Sequence, residues 1–378
     1  MQRTRRIPRS VGTLALLACG LALSCGNRAV ELSTPPRLEP STEPTTLGSI
    51  NEHVGSLAVD DHRLYWTGAF AGYNERTGET GVALHSCEKD RCAESVVTYD
   101  SSRVENSGFG VHDGAIYWTV VTSLETLSRD IISCATTGCT GAPRVFYTDP
   151  INGASLLAYG SDAIYFYDSA SQIERMPYSG SAQPQSVAAT VDYPQNLAIN
   201  GDYLYVLESS STDRGIILQR TRTDGSTQLE TLAEQLKILG TTAVSDGYDG
   251  PPRYANLAFD AMYVYWTSNT LTGSIQRCPL TGCVGSPETL TAPIRAPTTL
   301  RLDGGKAYFQ YYDVSLGNTL TSCTLPHCEP STPIAHGLDD WNVIAIDDRY
   351  VYTASTDQMP SPELLWDFPS AQIRRFAK

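Results

Sequence analysis

Leu257-Ala258-Phe259-Asp260, followed by Ala261-Met262 and then Tyr263-Val264-Tyr265-Trp266-Thr267, is the stretch that decides the fold. It reads as an apolar strand ending on an acid, a tight turn, and a second strand centred on a tyrosine. The first strand returns in Leu57-Ala58-Val59-Asp60, Leu197-Ala198-Ile199-Asn200 and Ile344-Ala345-Ile346-Asp347. The second returns in Leu64-Tyr65-Trp66-Thr67, Ile116-Tyr117-Trp118-Thr119, Ile164-Tyr165-Phe166-Tyr167, Leu204-Tyr205-Val206, Tyr308-Phe309 and Val351-Tyr352-Thr353. The anchoring tyrosines, from Tyr65 to Tyr352, stand 40 to 60 residues apart. Turns such as Asp113-Gly114, Gly201-Asp202 and Asp303-Gly304 tolerate the positive φ of tight hairpins, so the two strands are antiparallel neighbours.

Each unit continues into a third strand with an aliphatic residue three positions before its end: Leu84, Ile131, Ile173, Ile217, Ile275, Leu320 and Ile373. A Pro-x-x-apolar pattern marks a fourth strand at Pro143 to Phe146, Pro184 to Val187 and Pro287 to Leu290. The helical period is absent outside residues 228–239, and those fall at a fourth-strand position. The seventh unit stops after its third strand, while Pro44-Thr45-Thr46-Leu47 ahead of the first unit supplies the missing pattern. The expectation is an all-β domain over residues 44–378: a seven-bladed β-propeller of four-stranded antiparallel blades, its ring closed by the N-terminal strand.

Ahead of this domain, the first ten residues hold Arg3, Arg5, Arg6 and Arg9 and no acid, and residues 11–24 are apolar or small. Residues 1–24 are predicted to be a secretion signal, too short in its apolar part to span a bilayer. Leu16-Leu17-Ala18-Cys19 and Ala22-Leu23-Ser24-Cys25 resemble the lipobox of bacterial lipoproteins. That resemblance implies a lipid on Cys25, with Cys19 as the alternative. Residues 25–43, rich in Ser, Thr, Pro and Glu, read as a disordered tether. The expected location is the bacterial cell envelope, at the outer membrane or facing the periplasm, with the lipid as the membrane contact.

Eight further cysteines form four Cys-x4-Cys pairs: Cys87 with Cys92, Cys134 with Cys139, Cys278 with Cys283, and Cys323 with Cys328. Each pair is placed at the end of the third strand and across the turn to the fourth, within reach of a disulfide. An exported chain with an even count favours bridges. The rival is zinc, but four ligands must converge on one point and these pairs sit on different blades.

The chain carries a net charge of −14, and residues 1–24 hold four arginines and no acid, so the charge without them is −18. Such a field disfavours nucleic acid and anionic membrane surfaces. In a ring of such blades, first-to-second and third-to-fourth turns share one face, which is short and stapled. Insertions at 72–80, 122–130, 209–214, 238–253, 313–318 and 355–369 fall on the other, where function usually resides. Candidate binding residues there are Tyr73, Tyr248, Tyr254, Tyr312, Trp341 and Trp366, among acids including Asp313, Asp339 and Asp340. Exposed aromatics beside carboxylates suit a sugar ring or a basic protein patch; the rival is that each caps the core of its own blade.

No metal site, catalytic residue or cofactor is assigned. His53 and His336 come nearest, because they map to the loop-rich face on blades that closure is expected to set side by side. No nucleophile elbow, His-Glu-x-x-His, phosphate loop or calcium loop is present. Tyr65-Trp66-Thr67, Tyr117-Trp118-Thr119 and Tyr265-Trp266-Thr267 resemble the YWTD repeats of lipoprotein-receptor propellers, although Gly68, Val120 and Ser268 replace the Asp and seven units replace six. Units ending Arg277-Cys278-Pro279-Leu280-Thr281-Gly282-Cys283 look like exported bacterial β-propeller lipoproteins with YWTD-like repeats. The reading is a monomeric, non-catalytic platform that binds a protein or glycan of the envelope through its loop-rich face. The alternative is an envelope lyase or hydrolase with its site at the mouth of the central channel. Some bacterial seven-bladed propellers with related repeats are lyases using a histidine and magnesium, but no residue here maps onto them.

Overall fold

The computed structural model describes residues 45–378 apart from 51–52, 70–81, 101–103, 124, 126–127, 150–154, 169, 181–182, 191–192, 210–215, 237–256, 269–272, 330–332, 339–343 and 357–370. These residues form seven antiparallel sheets of four strands, six of them in plain sequence order. Blade 1 comprises His53–Val59, Arg63–Ala69, Val82–Glu88 and Val97–Asp100; blade 2, Val104–His112, Ala115–Ser123, Ser128–Ala135 and Arg144–Asp149. Blade 3 comprises Ser155–Tyr159, Ala163–Tyr167, Gln172–Pro177 and Gln185–Ala189; blade 4, Tyr193–Asn200, Tyr203–Ser209, Ile216–Arg222 and Glu230–Leu236. Blade 5 comprises Ala258–Phe259, Tyr263–Ser268, Ser274–Pro279 and Glu288–Thr289; blade 6, Thr298–Asp303, Lys306–Asp313, Gly317–Thr324 and Ala335–Leu338.

Blade 7 joins the two ends of the domain. Its first three strands are Ile344–Ile346, Tyr350–Thr356 and Ala371–Ala377, and its fourth is Thr45–Ile50. The closing strand runs antiparallel to the third, with Gly48 opposite Ile373. The ring is a closed seven-bladed propeller, and closure covers the edge that Ala371–Ala377 would otherwise present. First strands of neighbouring blades pack against each other, as His53–Val59 does against both Val104–His112 and Ile344–Ile346, so they surround the axis. Among the described residues no helix is long and apolar enough to cross a membrane.

Each hydrophobic cluster lies between two consecutive blades. The alternation of a strand explains how one motif serves two seams. Successive side chains point to opposite faces. The anchor tyrosine therefore faces the following blade and its neighbour faces the preceding one. Tyr65 packs with Ile116 and Trp118 of blade 2, while Trp66 packs with Ala345, Tyr352 and Ile373 of blade 7. Likewise Tyr265 meets Phe309 of blade 6 and Trp266 meets Tyr205 of blade 4. Blade 7 keeps the direction with a polar residue: Thr353 takes the next position, fully buried, and its hydroxyl is bonded at 3.2 Å by the Gln310 amide of blade 6.

All four cysteine pairs are disulfide-bonded: Cys87 to Cys92, Cys134 to Cys139, Cys278 to Cys283 and Cys323 to Cys328, with Cα–Cα distances of 4.7, 5.2, 5.2 and 4.8 Å. Their placement across the turn needs a correction. The first cysteine of each pair is on the third strand as expected, but Cys92, Cys139, Cys283 and Cys328 lie in the connection, ahead of the fourth strand. In blade 2 the chain doubles back at once, with Gly138 at φ 120° bridged to Ala135, and Cys139 meets Cys134 before the fourth strand begins at Arg144.

Beyond pinning their turns the bridges fill seams, each toward the preceding blade. Cys87 and Cys92 pack toward blade 7, Cys278 and Cys283 toward blade 4, and Cys323 and Cys328 toward blade 5. Cys134 and Cys139 are only half-buried and pack toward blade 1, where the Cys139 Sγ lies 3.8 Å from the Tyr99 carbonyl oxygen. Met176 holds the corresponding place in blade 3 and packs on blade 2.

The third-strand pattern also needs one correction. In blade 4 the fully buried residue opposite Leu207 is Leu218, and Ile217 is only half-buried. A one-residue slip reverses the face of every side chain, and the run Ile216-Ile217-Leu218 offers an aliphatic residue at either parity.

Candidate functional site

Sequential strand order puts first-to-second and third-to-fourth turns on one face and the remaining loops on the other. On the first face the turn acids of three blades are committed to structure. In blades 1, 5 and 7, Asp60, Asp260 and Asp347 each accept two backbone N–H bonds of the turn through Oδ1, at 2.6 to 2.9 Å. Through Oδ2 each accepts the hydroxyl of the anchor tyrosine five residues on, Tyr65 at 2.7 Å, Tyr265 at 2.5 Å and Tyr352 at 2.7 Å. Burial by itself would raise these carboxyl pKa values, but the hydrogen bonds outweigh it and all three lie below the ordinary value. Burial and Asp260 push the Tyr265 hydroxyl up to about 12.

Asp347 has a further role at the closure. Lys89 of blade 1 donates to it at 2.8 Å, with both side chains only 10% exposed, and Arg375 of blade 7 approaches Asp90 at 3.4 Å. Against the upward pull of burial, Lys89, Tyr352 and the turn amides bring the Asp347 pKa to about 2. Because the folded value is below the unfolded one, the group stabilises the ring above about pH 4, and this contribution vanishes as pH falls through 2. Asp347→Asn is expected to remove roughly 2 kcal/mol of that acid-limb dependence in urea unfolding measured from pH 6 to pH 2. An unchanged pH profile would show that the pair does not hold the seam.

The loop-rich face is described best in blade 6. There the second strand ends on Tyr312-Asp313 and the third begins at Gly317. Asp313 Oδ1 accepts the Ser315 hydroxyl at 2.6 Å and the amides of Ser315 and Leu316 at 2.8 and 3.0 Å, which holds its carboxyl below the ordinary pKa. The Tyr312 amide donates to the Arg295 carbonyl at 2.9 Å, and the Arg295 guanidinium lies 4.6 Å from the Tyr312 ring centre. The Gly337 amide donates to the Leu316 carbonyl at 3.1 Å. This braced hairpin presents Tyr312, Val314 and Leu316 to water, 37%, 81% and 39% exposed. The signal missed in the sequence was available: Asp313-Val314-Ser315-Leu316-Gly317 puts two aliphatic residues in a turn, where polar residues are the rule.

Tyr73, Tyr248, Tyr254, Trp341 and Trp366 lie outside the described residues, as do Asp339, Asp340, Cys19 and Cys25. Two of the expected insertions are partly strand. Residues 122–123 and 128–130 continue the hairpin of blade 2, and 313 and 317–318 that of blade 6, because cross-strand pairing extends to the tip. The two histidines do not share a neighbourhood of blades as expected. His53 begins the innermost strand of blade 1 and His336 lies on the outermost strand of blade 6, with blade 7 between. The reason is that Ala335–Leu338 pairs with Gly317–Thr324 as the fourth strand of blade 6, and blade 7 begins only at Ile344. Among the described residues no group of three or more His, Cys, Asp or Glu is placed to hold a metal ion.

No protein-family model matches the chain, and no curated protein matches it. Solved structures do. The β-propeller domain of the trilobed protease from Pyrococcus furiosus, which has an open velcro topology, is similar at a TM-score of 0.55 and 9% identity, over 85% of this chain and 97% of that one. U3-55K is similar at 0.55 and 8%, over 90% and 100%. A prolyl endopeptidase is similar at 0.56 and 11%, over 87% of this chain and 48% of its own. At these identities the likeness shows the propeller fold alone. The present ring differs from the Pyrococcus domain in being sealed, by Thr45–Ile50 against Ala371–Ala377.

Proposed function

We propose that this chain is a non-catalytic lipoprotein of the bacterial cell envelope, anchored through Cys25, whose propeller is a platform that binds a protein or glycan on its loop-rich face. The observation that carries the reading is the braced blade 6 hairpin with Tyr312, Val314 and Leu316 exposed together. Apolar and aromatic groups held rigidly in water contribute binding energy at small ordering cost. Four disulfides at hairpin turns support an oxidising compartment, in line with export. The negative field favours a partner surface that is neutral or basic.

The test is capture from a detergent extract of the envelope, with components quantified for the full chain and for Tyr312→Ala combined with Val314→Ala. Loss of an anchor worth about 1.4 kcal/mol or more reduces capture at least about tenfold. Equal recovery of the same components by both proteins would remove this face from the reading. Palmitate labelling of the chain and of Cys25→Ala tests the anchor separately.

A further inference from the structure

Cys134–Cys139 is the bridge with both ends outside the core. Cys87, Cys92, Cys278, Cys323 and Cys328 are 4% exposed or less, so every other bridge has at least one sealed cysteine, whereas Cys134 and Cys139 are both half-buried. Thiol–disulfide exchange begins with a thiolate attacking a sulfur, so access to the sulfur orders the bridges by reactivity. The Cys278–Cys283 loop is also tied down by backbone, because the Cys283 amide donates to the Leu232 carbonyl of blade 4 at 3.0 Å. In blade 2 the tie to the preceding blade runs the other way and uses a side chain.

The Tyr99 hydroxyl, on the outer strand of blade 1, donates to the Thr136 carbonyl inside the bridged loop at 2.5 Å. It accepts from the Ser86 hydroxyl at 2.7 Å, which in turn accepts from Arg63 Nε at 3.0 Å. Burial lifts the Tyr99 pKa, which keeps the group a donor. The Tyr99 ring tilts against Trp118 of blade 2, with centres 6.3 Å apart. Gly138 of the same loop lies close to the strand: a Cβ built on it would be 3.5 Å from Val97 Cγ1. Val97–Asp100 itself pairs with Val82–Glu88 at three positions, with a register shift among them. This short strand leans on a blade 2 loop whose shape the bridge fixes.

We propose that Cys134–Cys139 is a thiol–disulfide exchange site that takes a dithiol reductant, and that the bridge latches the outer strand of blade 1 to blade 2. A thiolate of the dithiol attacks one sulfur, the Cys134–Cys139 bond breaks, and the released cysteine leaves as a thiolate that takes a proton from water. The second thiol of the reductant, deprotonated, then displaces the other cysteine from the mixed disulfide. The chain gains two electrons and two protons, and the dithiol becomes a disulfide. Once the bridge is open, residues 135–138 lose the constraint that presents the Thr136 carbonyl to Tyr99. The site lies on the face opposite the loop-rich hairpin and does not depend on the platform reading.

The test exposes the full chain to dithiothreitol without denaturant, quenches with acid, alkylates, and quantifies each cysteine by peptide mass. Cys134 and Cys139 are expected to be alkylated at least about tenfold faster than any of the other six bridged cysteines. Amide hydrogen exchange on the same samples is expected to rise about fivefold or more at Val97–Asp100. It is expected to stay unchanged at Gln185–Ala189, which faces a blade without cysteines. Cys134→Ser combined with Cys139→Ser is expected to give the same rise with no reductant present. Tyr99→Phe, which removes the donor and keeps the bridge, is expected to give it as well. Reduction of another pair first, or of all four together, would overturn the exchange site. Unchanged exchange at Val97–Asp100 after reduction and in the double variant would overturn the latch.

Discussion

A chain that begins at residue 51 is expected to unfold at a temperature about 4–7 °C below one that begins at residue 44, and to self-associate. The deletion removes Thr45–Ile50, which is paired along Ala371–Ala377 and whose Leu47 packs on the cluster of Trp66, Tyr352 and Ile373. Each lost backbone hydrogen bond removes about 0.5–1.5 kcal/mol of net stability, and Leu47 adds a partly buried aliphatic side chain. Ordering six residues opposes these gains, so a net loss of about 3–5 kcal/mol is expected. The exposed third strand then becomes a template for a second copy. Scanning calorimetry and light scattering after size exclusion read the two effects. A shortened chain that melts with the longer one and stays monomeric would show that the ring does not need its seal.

Trp66→Ala is expected to cost about 3–5 kcal/mol, the range for emptying a large aromatic site in a packed core. The indole is fully buried, stacks on His85 with ring centres 5.4 Å apart, and occupies the seam between blades 7 and 1. Its Nε1–H has no hydrogen-bond partner among the described residues, so Trp66→Phe surrenders volume but no bond and is expected to cost under about 1.5 kcal/mol. Trp266 is the control, since its Nε1–H donates to Gln276 Oε1 at 3.0 Å and Trp266→Phe leaves that acceptor empty. Urea unfolding of these variants gives the comparison. Equal losses for Trp66→Phe and Trp66→Ala would show that something other than seam packing holds this residue.

Much of the candidate site was hidden in the sequence for a physical reason. Tyr312 could be placed on the loop-rich face because hairpin order alone assigns the turns. That Val314 and Leu316 stand exposed beside it depends on Asp313 clamping two turn amides and on Arg295 lying under the tyrosine ring. Arg295 comes from the connection between blades, eighteen residues before the end of that hairpin's second strand at Asp313, a separation that no local pattern encodes.

The amino-acid order alone determined the blades. Alternation, Asp and Gly turns, cysteine spacing and the Pro-x-x-apolar match at Pro44 all act within hairpins, between residues close along the chain or at equivalent repeat positions. Tertiary structure decided what happens between blades. It chose Leu218 over Ile217, turned Cys139 toward blade 1, sent Tyr65 forward and Trp66 back, and paired Lys89 with Asp347. It also parted His53 from His336. Seams are filled by complementary volumes and charges from repeats far apart in the chain. Period-two patterning is satisfied equally well by several such fillings, and only packing in three dimensions selects one.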